Sequence, residues 1–347
     1  MALKGTGLTP SPVIMTKKAL VTGGTGFLGG AIVRDLLANG EQVKVFRRES
    51  SPLKNLEGLD VEHAVGDLLK PDSLKAAMQG CDRVYHCAAL YALTGGYEAY
   101  LQANVVGTRN VMQAAMDAGI ERVVHTSSIA GIGAPRKRGR IDEKQVWNFA
   151  PLNNPYITSK FIAEHEALSF GARGLPVVIV NPGAPIGRGD VKPTPTGQMV
   201  VNLIRGLYPM WVPVELGVVD VDDCARQHRL AMEKGKPGER YLSVGETITL
   251  GGMGKLLRES LGTQWRPTVP RPLLKLAIYS TYLLPQWMNI FTAVARYPLH
   301  SFEYDTAKAK DELGMQYRPI KESLDTAARW FADNGITRPA KAGDEHP

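Results

Sequence analysis

A doubly wound parallel α/β sheet, followed by a smaller and mostly helical C-terminal region, is the fold that this 347-residue chain predicts. Three observations carry that expectation. Short apolar runs alternate with helix-length segments through the first two thirds of the chain, as repeating βαβ units require. A glycine-rich turn joins the first run to the first helix. Beyond Asn181 the alternation breaks, and Pro182, Pro185, Pro193 and Pro195 mark a loop-rich stretch.

Taken in order, Lys18 to Thr22 reads as the first strand. From Phe27 to Asn39, Leu28, Ile32, Leu36 and Leu37 recur at helical spacing, and Gly40 offers a left-handed stop. Further strands are expected at Gln42 to Phe46, Val61 to Val65, Arg83 to Cys87, Arg122 to Thr126 and Pro176 to Val180. Helices at about Ser73 to Gln79, Tyr97 to Ala118 and Tyr156 to Gly171 have lengths that suit right-handed crossovers. Six parallel strands of Rossmann type result. The nucleotide-binding domain is expected over 17–187 and the substrate-binding region over 188–335, with loose tails at 1–16 and 336–347. Residues 212–234 are expected to return to the first domain, because the Val218 to Leu230 stretch can rejoin the main sheet.

Apolar residues make up 44% and charged residues 22% of the chain, a balance that excludes a disordered or fibrous protein. The net charge of +7 suits phosphate-bearing ligands. Because the basic residues are scattered rather than gathered on one helix face, no nucleic-acid partner is expected. The one dense basic run, Arg136 to Arg140, reads either as a solvated loop or as an attraction for an anionic substrate group. Cys81, Cys87 and Cys224 lack CxxC spacing, so neither a disulfide framework nor a metal site is expected, and a reducing cytoplasmic setting fits. The first sixteen residues hold no continuous apolar core of signal-peptide length. Leu273 to Ala295 approaches the roughly 20 apolar residues of a spanning helix. Lys275, Pro285, Gln286 and Asn289 interrupt it, so lid packing is expected there, with an interfacial membrane contact as the alternative.

The chemistry begins at Thr22-Gly23-Gly24-Thr25-Gly26-Phe27-Leu28-Gly29. Glycines at 23, 26 and 29 lie between a strand and a helix, where a tight turn, close backbone approach and the helix N-terminal amides hold a dinucleotide pyrophosphate. The cofactor contacts expected here are Gly23, Thr25, Gly26, Phe27 and Leu28. An NAD-binding chain would place Asp or Glu at the end of the second strand; this one has Arg47 and Arg48. Guanidinium groups clasp the extra phosphate of NADP by paired, charge-assisted hydrogen bonds, so NADP(H) is the expected cofactor. Asp67 and Leu68 close the third strand and either meet the adenine or serve as a turn or helix cap. Ala88 and Ala89 close the fourth with side chains small enough for a cofactor to lie against backbone; His86 before them reads as strand packing.

Tyr156 and Lys160 lie four residues apart on one helix face. A nearby ammonium would favour the ionised phenol and lower its pKa, letting Tyr156 exchange a proton with a carbonyl or alcohol oxygen. Ser128 closes the fifth strand, where its hydroxyl can bond the same oxygen. A glycine loop, a strand-end serine and then YxxxK follow the order of successive strand ends in one sheet, which is where such folds bind ligands.

With these motifs in place, the chain resembles an extended short-chain dehydrogenase/reductase of the NAD-dependent epimerase/dehydratase superfamily, from Lys17 to about Phe331. Within it the likeness is to the dihydroflavonol reductase-like branch and, more narrowly, to hopanoid-associated sugar epimerases. The narrower likeness rests on Asn55-Leu56-Glu57-Gly58-Leu59-Asp60-Val61, Asn181-Pro182-Gly183-Ala184-Pro185-Ile186-Gly187 and Lys192-Pro193-Thr194-Pro195-Thr196-Gly197. The resemblance implies Tyr156 as acid/base, Ser128 as the polarising hydroxyl and Lys160 as holder of the nicotinamide ribose. It also implies Asn104 as support for a proton relay, and Pro182, Gly183 and Ala184 as the turn beside the nicotinamide. Gly183 departs from the serine the family often carries there. Asp222 and Asp223 match a family position read as structural, suited to capping a helix. A homodimer through the two long central helices is likewise implied only by the resemblance.

The function expected is an NADP(H)-dependent oxidoreductase interconverting a ketone or aldehyde and an alcohol. A sugar-nucleotide epimerase with bound NAD(P) is the alternative, and a non-catalytic NADP-sensing protein stands behind both. The substrate would be a small molecule whose pocket the region after Gly187 and Ala89 to Tyr97 would form; Tyr91, Tyr97, Tyr208 and Trp211 could make it apolar.

Overall fold

The computed structural model describes residues 17–91, 96–135, 137–211, 213–263, 266–270, 272–274 and 302–337. Both expected tails (apart from residues 336 and 337), Arg136 and all of the 273–295 segment beyond Leu274 lie outside them. The first half runs β1 (Lys18–Thr22), α1 (Phe27–Ala38), β2 (Gln42–Arg47), β3 (Glu62–Val65), α2 (Pro71–Met78), β4 (Arg83–His86), α3 (Tyr97–Tyr100), α4 (Gly107–Asp117), β5 (Arg122–Thr126) and β6 (Gly139–Ile141). Then come α5 (Pro155–Ala172), β7 (Val177–Pro182), β8 (Ala184–Ile186), α6 (Pro195–Ile204), β9 (Glu215–Asp220), α7 (Val221–Lys234) and β10 (Arg240–Ser243). The described chain closes with β11 (Glu246–Thr249), α8 (Leu250–Leu261), β12 (Phe302–Tyr304), α9 (Ala307–Leu313) and α10 (Ile320–Asp333).

Seven strands form one sheet in the order β10-β7-β5-β4-β1-β2-β3, every neighbouring pair parallel. The chain builds outward from β1 to β3, then returns to the other side of β1 to lay β4. That reversal opens a crevice beyond the carboxyl ends of β1 and β4, the place where doubly wound sheets bind ligands. The six expected strands are all present; β10 is the addition. Its four residues, RYLS, make an edge strand too short to show a period.

Apolar side chains alternate across the strands into two layers. Val21, Val45, Val124, Val178 and Val180 pack with α1 and α7, while Leu20, Val84, Val123, Val177 and Ile179 pack with α2, α4 and α5. The stretch expected to return to the main sheet divides its allegiance. β9 joins β8 and β11 in a separate three-stranded sheet, whereas α7 lies on the main sheet beside α1. α7 is capped by Asp220, whose Oδ1 accepts from the amides of Asp222 and Asp223 at 2.8 and 3.2 Å. Asp223 is therefore no cap: it is buried and holds Arg318, with Nη2 to Oδ1 at 2.9 Å, tying α7 to the segment before α10. A third apolar cluster, with Val200, Val201, Met253, Leu257, Leu324 and Phe331, joins α6, α8 and α10. Among the described residues no helix is long and apolar enough to cross a membrane.

Gly183 sits where β7 passes into β8, and its amide donates to Ser243 O at 2.9 Å. A Cβ there would lie 2.4 Å from Gly217 O on β9. The glycine is thus set by close packing of two backbones, which a serine could not allow without moving β9. Gly183→Ser is expected to cost about 1–3 kcal/mol through overpacking. Urea denaturation checks it, and a midpoint unchanged from wild type would contradict the close approach.

Candidate active site

The glycine turn is built by crowding. Gly23 has φ +73°, and a Cβ on it would lie 2.7 Å from Ala88 N; a Cβ on Gly29 would lie 2.1 Å from Gly23 O. β1, the end of β4 and α1 can meet this closely only without side chains. α1 starts at Gly26 with no side-chain cap and no acidic residue in its first turn. Its N-terminal amides therefore suit an anion, and the residues present fit a dinucleotide pyrophosphate. Asn55 supports the turn from outside, its Nδ2 donating to Thr25 O at 3.3 Å and Gly26 O at 3.2 Å.

Beneath the turn, His86 links three elements. Thr108 Oγ1 donates to Asn104 O at 2.6 Å, so it accepts from His86 Nε2 at 3.0 Å. His86 Nδ1 is then left to accept from Thr22 Oγ1 at 2.7 Å, and that oxygen accepts from Ala88 N at 3.3 Å. Burial lowers the His86 pKa to about 3, which keeps the ring neutral as this order requires. His86 is a strand residue that packs by hydrogen bonds.

At the end of β2, Arg47 is half-buried and Arg48 exposed. Arg47 Nε donates to His63 Nδ1 at 3.4 Å and Nη1 to Arg48 O at 3.3 Å. No carboxylate among the described residues pairs with either guanidinium. Asp67 turns on itself, Oδ1 accepting from Leu69 N at 2.9 Å. Leu68 presents its carbonyl to Asn110 Nδ2 at 2.8 Å.

Asn154 caps α5 through Ile157 N at 3.1 Å and Pro155 opens the helix, which places Tyr156 in its first turn. Ser128 stands beside the Tyr156 phenol, where it favours the ionised form, and its Oγ accepts from Ala130 N at 3.1 Å. Lys160 is buried and donates from Nζ to Thr126 O at 2.7 Å. The expected electrostatics are reversed here. Desolvation, helped by Tyr91, pushes the Tyr156 phenol well above its ordinary pKa, and desolvation lowers Lys160 to about 8. The ammonium is spent on a carbonyl rather than on the phenol, so burial decides.

Asn104 lies in a π-helical turn, Leu101–Val106, that splits the helix expected over Tyr97 to Ala118. Its Oδ1 accepts from Leu90 N at 2.6 Å, and its Nδ2 donates to Ser159 Oγ at 2.9 Å and Leu90 O at 3.2 Å. Single-turn π segments of this kind gather at functional sites. Ser159 Oγ in turn donates to Tyr156 O at 2.8 Å. The rings of Tyr91 and Tyr100 flank Tyr156, with centroids 4.8 and 6.3 Å away.

Residues 19–245 match the NAD dependent epimerase/dehydratase family. The chain belongs to that family. It is an extended short-chain dehydrogenase/reductase of the dihydroflavonol reductase-like branch. A Synechocystis protein provisionally named as a dihydroflavonol 4-reductase is 39% identical over 94% of this chain and 98% of its own. Sterol demethylase protein B of Methylococcus capsulatus is 36% identical over 91% and 99%. Among solved structures, gox2253 superposes with a TM-score of 0.84 at 35% identity, covering 93% of this chain and all of that one. The chain is an NAD(P)-dependent oxidoreductase or epimerase, and a nicotinamide nucleotide is its cofactor.

In this member of the family, Gly23, Arg47, Asp67, Ala88, Ser128 and Pro182 all stand at or just past carboxyl ends of main-sheet strands. Gly23 meets Ala88, and Ser128 meets Tyr156. Ala89 is exposed beside them, while Ala184 pairs with Val218 in the three-stranded sheet. Four contributors are not among the expected site residues: Asn55, Thr126, Tyr100 and Asp190. Asp190 is buried, and Tyr91 lies near both it and Thr196 at the start of α6. The Asp190 carboxylate accepts from Thr194 N at 2.9 and 3.0 Å, yet burial raises its pKa from 3.8 to about 6.

A carboxyl raised in this way binds its proton more firmly in the folded chain than in the unfolded one. Stability conferred on the protonated form is therefore lost as pH rises from 3.8 to about 6. At full ionisation the loss is about 3 kcal/mol. Asp190→Asn should flatten the thermal midpoint across that window, and a variant whose midpoint falls with pH as steeply as wild type would remove Asp190 as the cause.

Proposed function

We propose that the chain is an NADP(H)-dependent reductase or dehydrogenase that interconverts a ketone or aldehyde and an alcohol, with Tyr156 as the acid/base. The observation that carries this reading is the gathering of Ser128, Tyr156 and a buried Lys160 at the carboxyl end of β5, with Lys160 Nζ on Thr126 O. When bound, the nicotinamide supplies or accepts the hydride. Tyr156, held neutral by desolvation, has a proton to give to a carbonyl oxygen, and Ser128 Oγ can bond the same oxygen to orient it. Lys160 spends one of its three donors on Thr126 O; the others are what a ribose hydroxyl would meet. A neutral phenol suits reduction better than oxidation, since reduction begins with a proton donor.

NADP(H) over NAD(H) rests on Arg47 and Arg48, which among the described residues meet no carboxylate and so can take a 2′-phosphate. The same residues weigh against an epimerase, which keeps its nucleotide bound through each cycle and, in the resembling enzymes, carries an acidic residue at that strand end. Tyr91 and Tyr100 around Tyr156 support an apolar substrate. The relatives named for a dihydroflavonol 4-reductase and a sterol demethylase agree with that. The test is NADPH oxidation across 3-oxo esters, aryl ketones, aliphatic aldehydes and sterol or terpenoid ketones, with UDP-glucose assayed for epimerisation. Turnover of UDP-glucose alone would overturn the reductase reading.

Tyr156→Phe is expected to lower turnover roughly 10²- to 10⁴-fold. NADPH affinity, titrated by fluorescence quenching, should stay within a few-fold; retained turnover would refute the acid/base role. Arg47→Asp should weaken NADPH binding by about 10- to 100-fold while sparing NADH, the size of one lost charge-assisted contact. Equal losses for the two cofactors would overturn the NADP(H) assignment.

A further inference from the structure

One buried carboxylate near the site has no part in the chemistry just derived. Glu164 lies on α5 one turn beyond Lys160 and two beyond Tyr156, and its side chain is wholly buried. Its Oε2 accepts from Ser127 Oγ at 2.5 Å and from Asn181 Nδ2 at 2.6 Å. Its Oε1 accepts from Arg240 Nη1 at 3.0 Å. Each donor comes from a different strand: Ser127 follows β5, Asn181 lies on β7 and Arg240 opens β10.

The same donors reach the backbone around Ser128. Asn181 Nδ2 also donates to Ser128 O at 3.0 Å. Gly131, in the short turn that begins after Ser128, passes so near that a Cβ on it would lie 2.9 Å from Glu164 Oε2. Arg240 extends the brace outward, with Nε to Glu143 O at 2.7 Å and Nη2 to Gln145 O at 3.2 Å. A buried carboxylate is tolerated only when donors and an opposite charge surround it, and this one has both. The ends of β5 and β7 and the start of β10 are thereby fixed against the helix that carries Tyr156.

We propose that Glu164 is a positioning residue, clamping the ends of β5 and β7 to α5 so that the Ser128 hydroxyl is held against Tyr156. This rests on the reductase reading for its effect on turnover, though the clamp itself does not. Misplacement of a reacting group by about 1 Å costs up to roughly 10²-fold in rate. A helix and a strand end joined by one carboxylate would allow such a displacement once the charge is gone.

The experiment pairs Glu164→Gln with Ser128→Ala in the full chain, using NADPH and the best carbonyl of the panel above. Glu164→Gln should lower turnover roughly 10- to 100-fold, with NADPH affinity within about threefold. In the Ser128→Ala background its effect should shrink below about threefold, because two residues acting through one hydroxyl do not multiply. Amide hydrogen exchange across 127–132 should quicken at least about tenfold in Glu164→Gln while 107–117 is unchanged. Should Glu164→Gln fail to fold, Ser127→Ala, which removes a single donor, carries the same cycle and the same exchange measurement. Multiplicative losses, or unchanged exchange at 127–132, would overturn the positioning role. A wild-type chain inert toward every carbonyl overturns the reductase reading instead, and the exchange measurement then decides on Glu164 alone.

Discussion

The contact of Gly23 with Ala88 is the constraint on which the rest depends. β1 and β4 are neighbours only because the chain reverses at β1, and the crevice above them exists only if their ends diverge into a helix on one side and a loop on the other. The turn must then pass within van der Waals reach of β4's backbone, and a left-handed residue without a Cβ is the one solution. His86 converts that steric fit into a hydrogen-bonded one. Its neutral ring joins Thr22 below the glycine turn to Thr108 on α4, so the glycine turn and the α4 side of the crevice share one buried chain of donors.

Burial sets the electrostatics of the site more than pairing does. Tyr156 is driven toward its neutral form and Lys160 toward loss of its charge, the two shifts sharing desolvation as their largest cause. A phenolate stabilised by a neighbouring ammonium would need the two groups to face each other, yet the Lys160 ammonium is turned down to Thr126 O. The resting arrangement is thus one of a neutral phenol beside the Ser128 hydroxyl. In the proposed reaction such an arrangement would favour giving a proton, and taking one would need the lysine re-engaged.

Much of the fold was legible because strands buried on both faces announce themselves as continuous apolar runs, and β1, β5 and the helix over Phe27 to Ala38 lie within a residue of their expected bounds. β10 was not, since a four-residue edge strand carries no period. The π turn at Leu101–Val106 was hidden for another reason. It is enforced by Asn104 reaching back to the Leu90 backbone, a contact between segments that no window along the chain contains. The candidate site shows the same division. Motif residues such as Gly23, Ser128, Tyr156 and Lys160 could be named from spacing, whereas Asn55, Thr126 and Asp190 act by backbone contacts or burial that only the folded chain creates.

α5 shows why spacing alone reads a helix incompletely. Its residues 156, 159, 160 and 164 look like one stripe, but each meets a different part of the molecule: Tyr156 lies beside Ser128, Ser159 bonds Asn104, Lys160 the Thr126 carbonyl, and Glu164 the ends of β5 and β7 and the start of β10. A purely apolar stripe would have packed as well against the sheet and would have left the helix more latitude to slide or rotate. Polar groups in that stripe demand particular partners at hydrogen-bond distances, and unsatisfied ones are costly. The helix therefore gives up easy burial in return for a defined register, and the register is what brings a phenol in its first turn to the end of a strand that follows a different crossover.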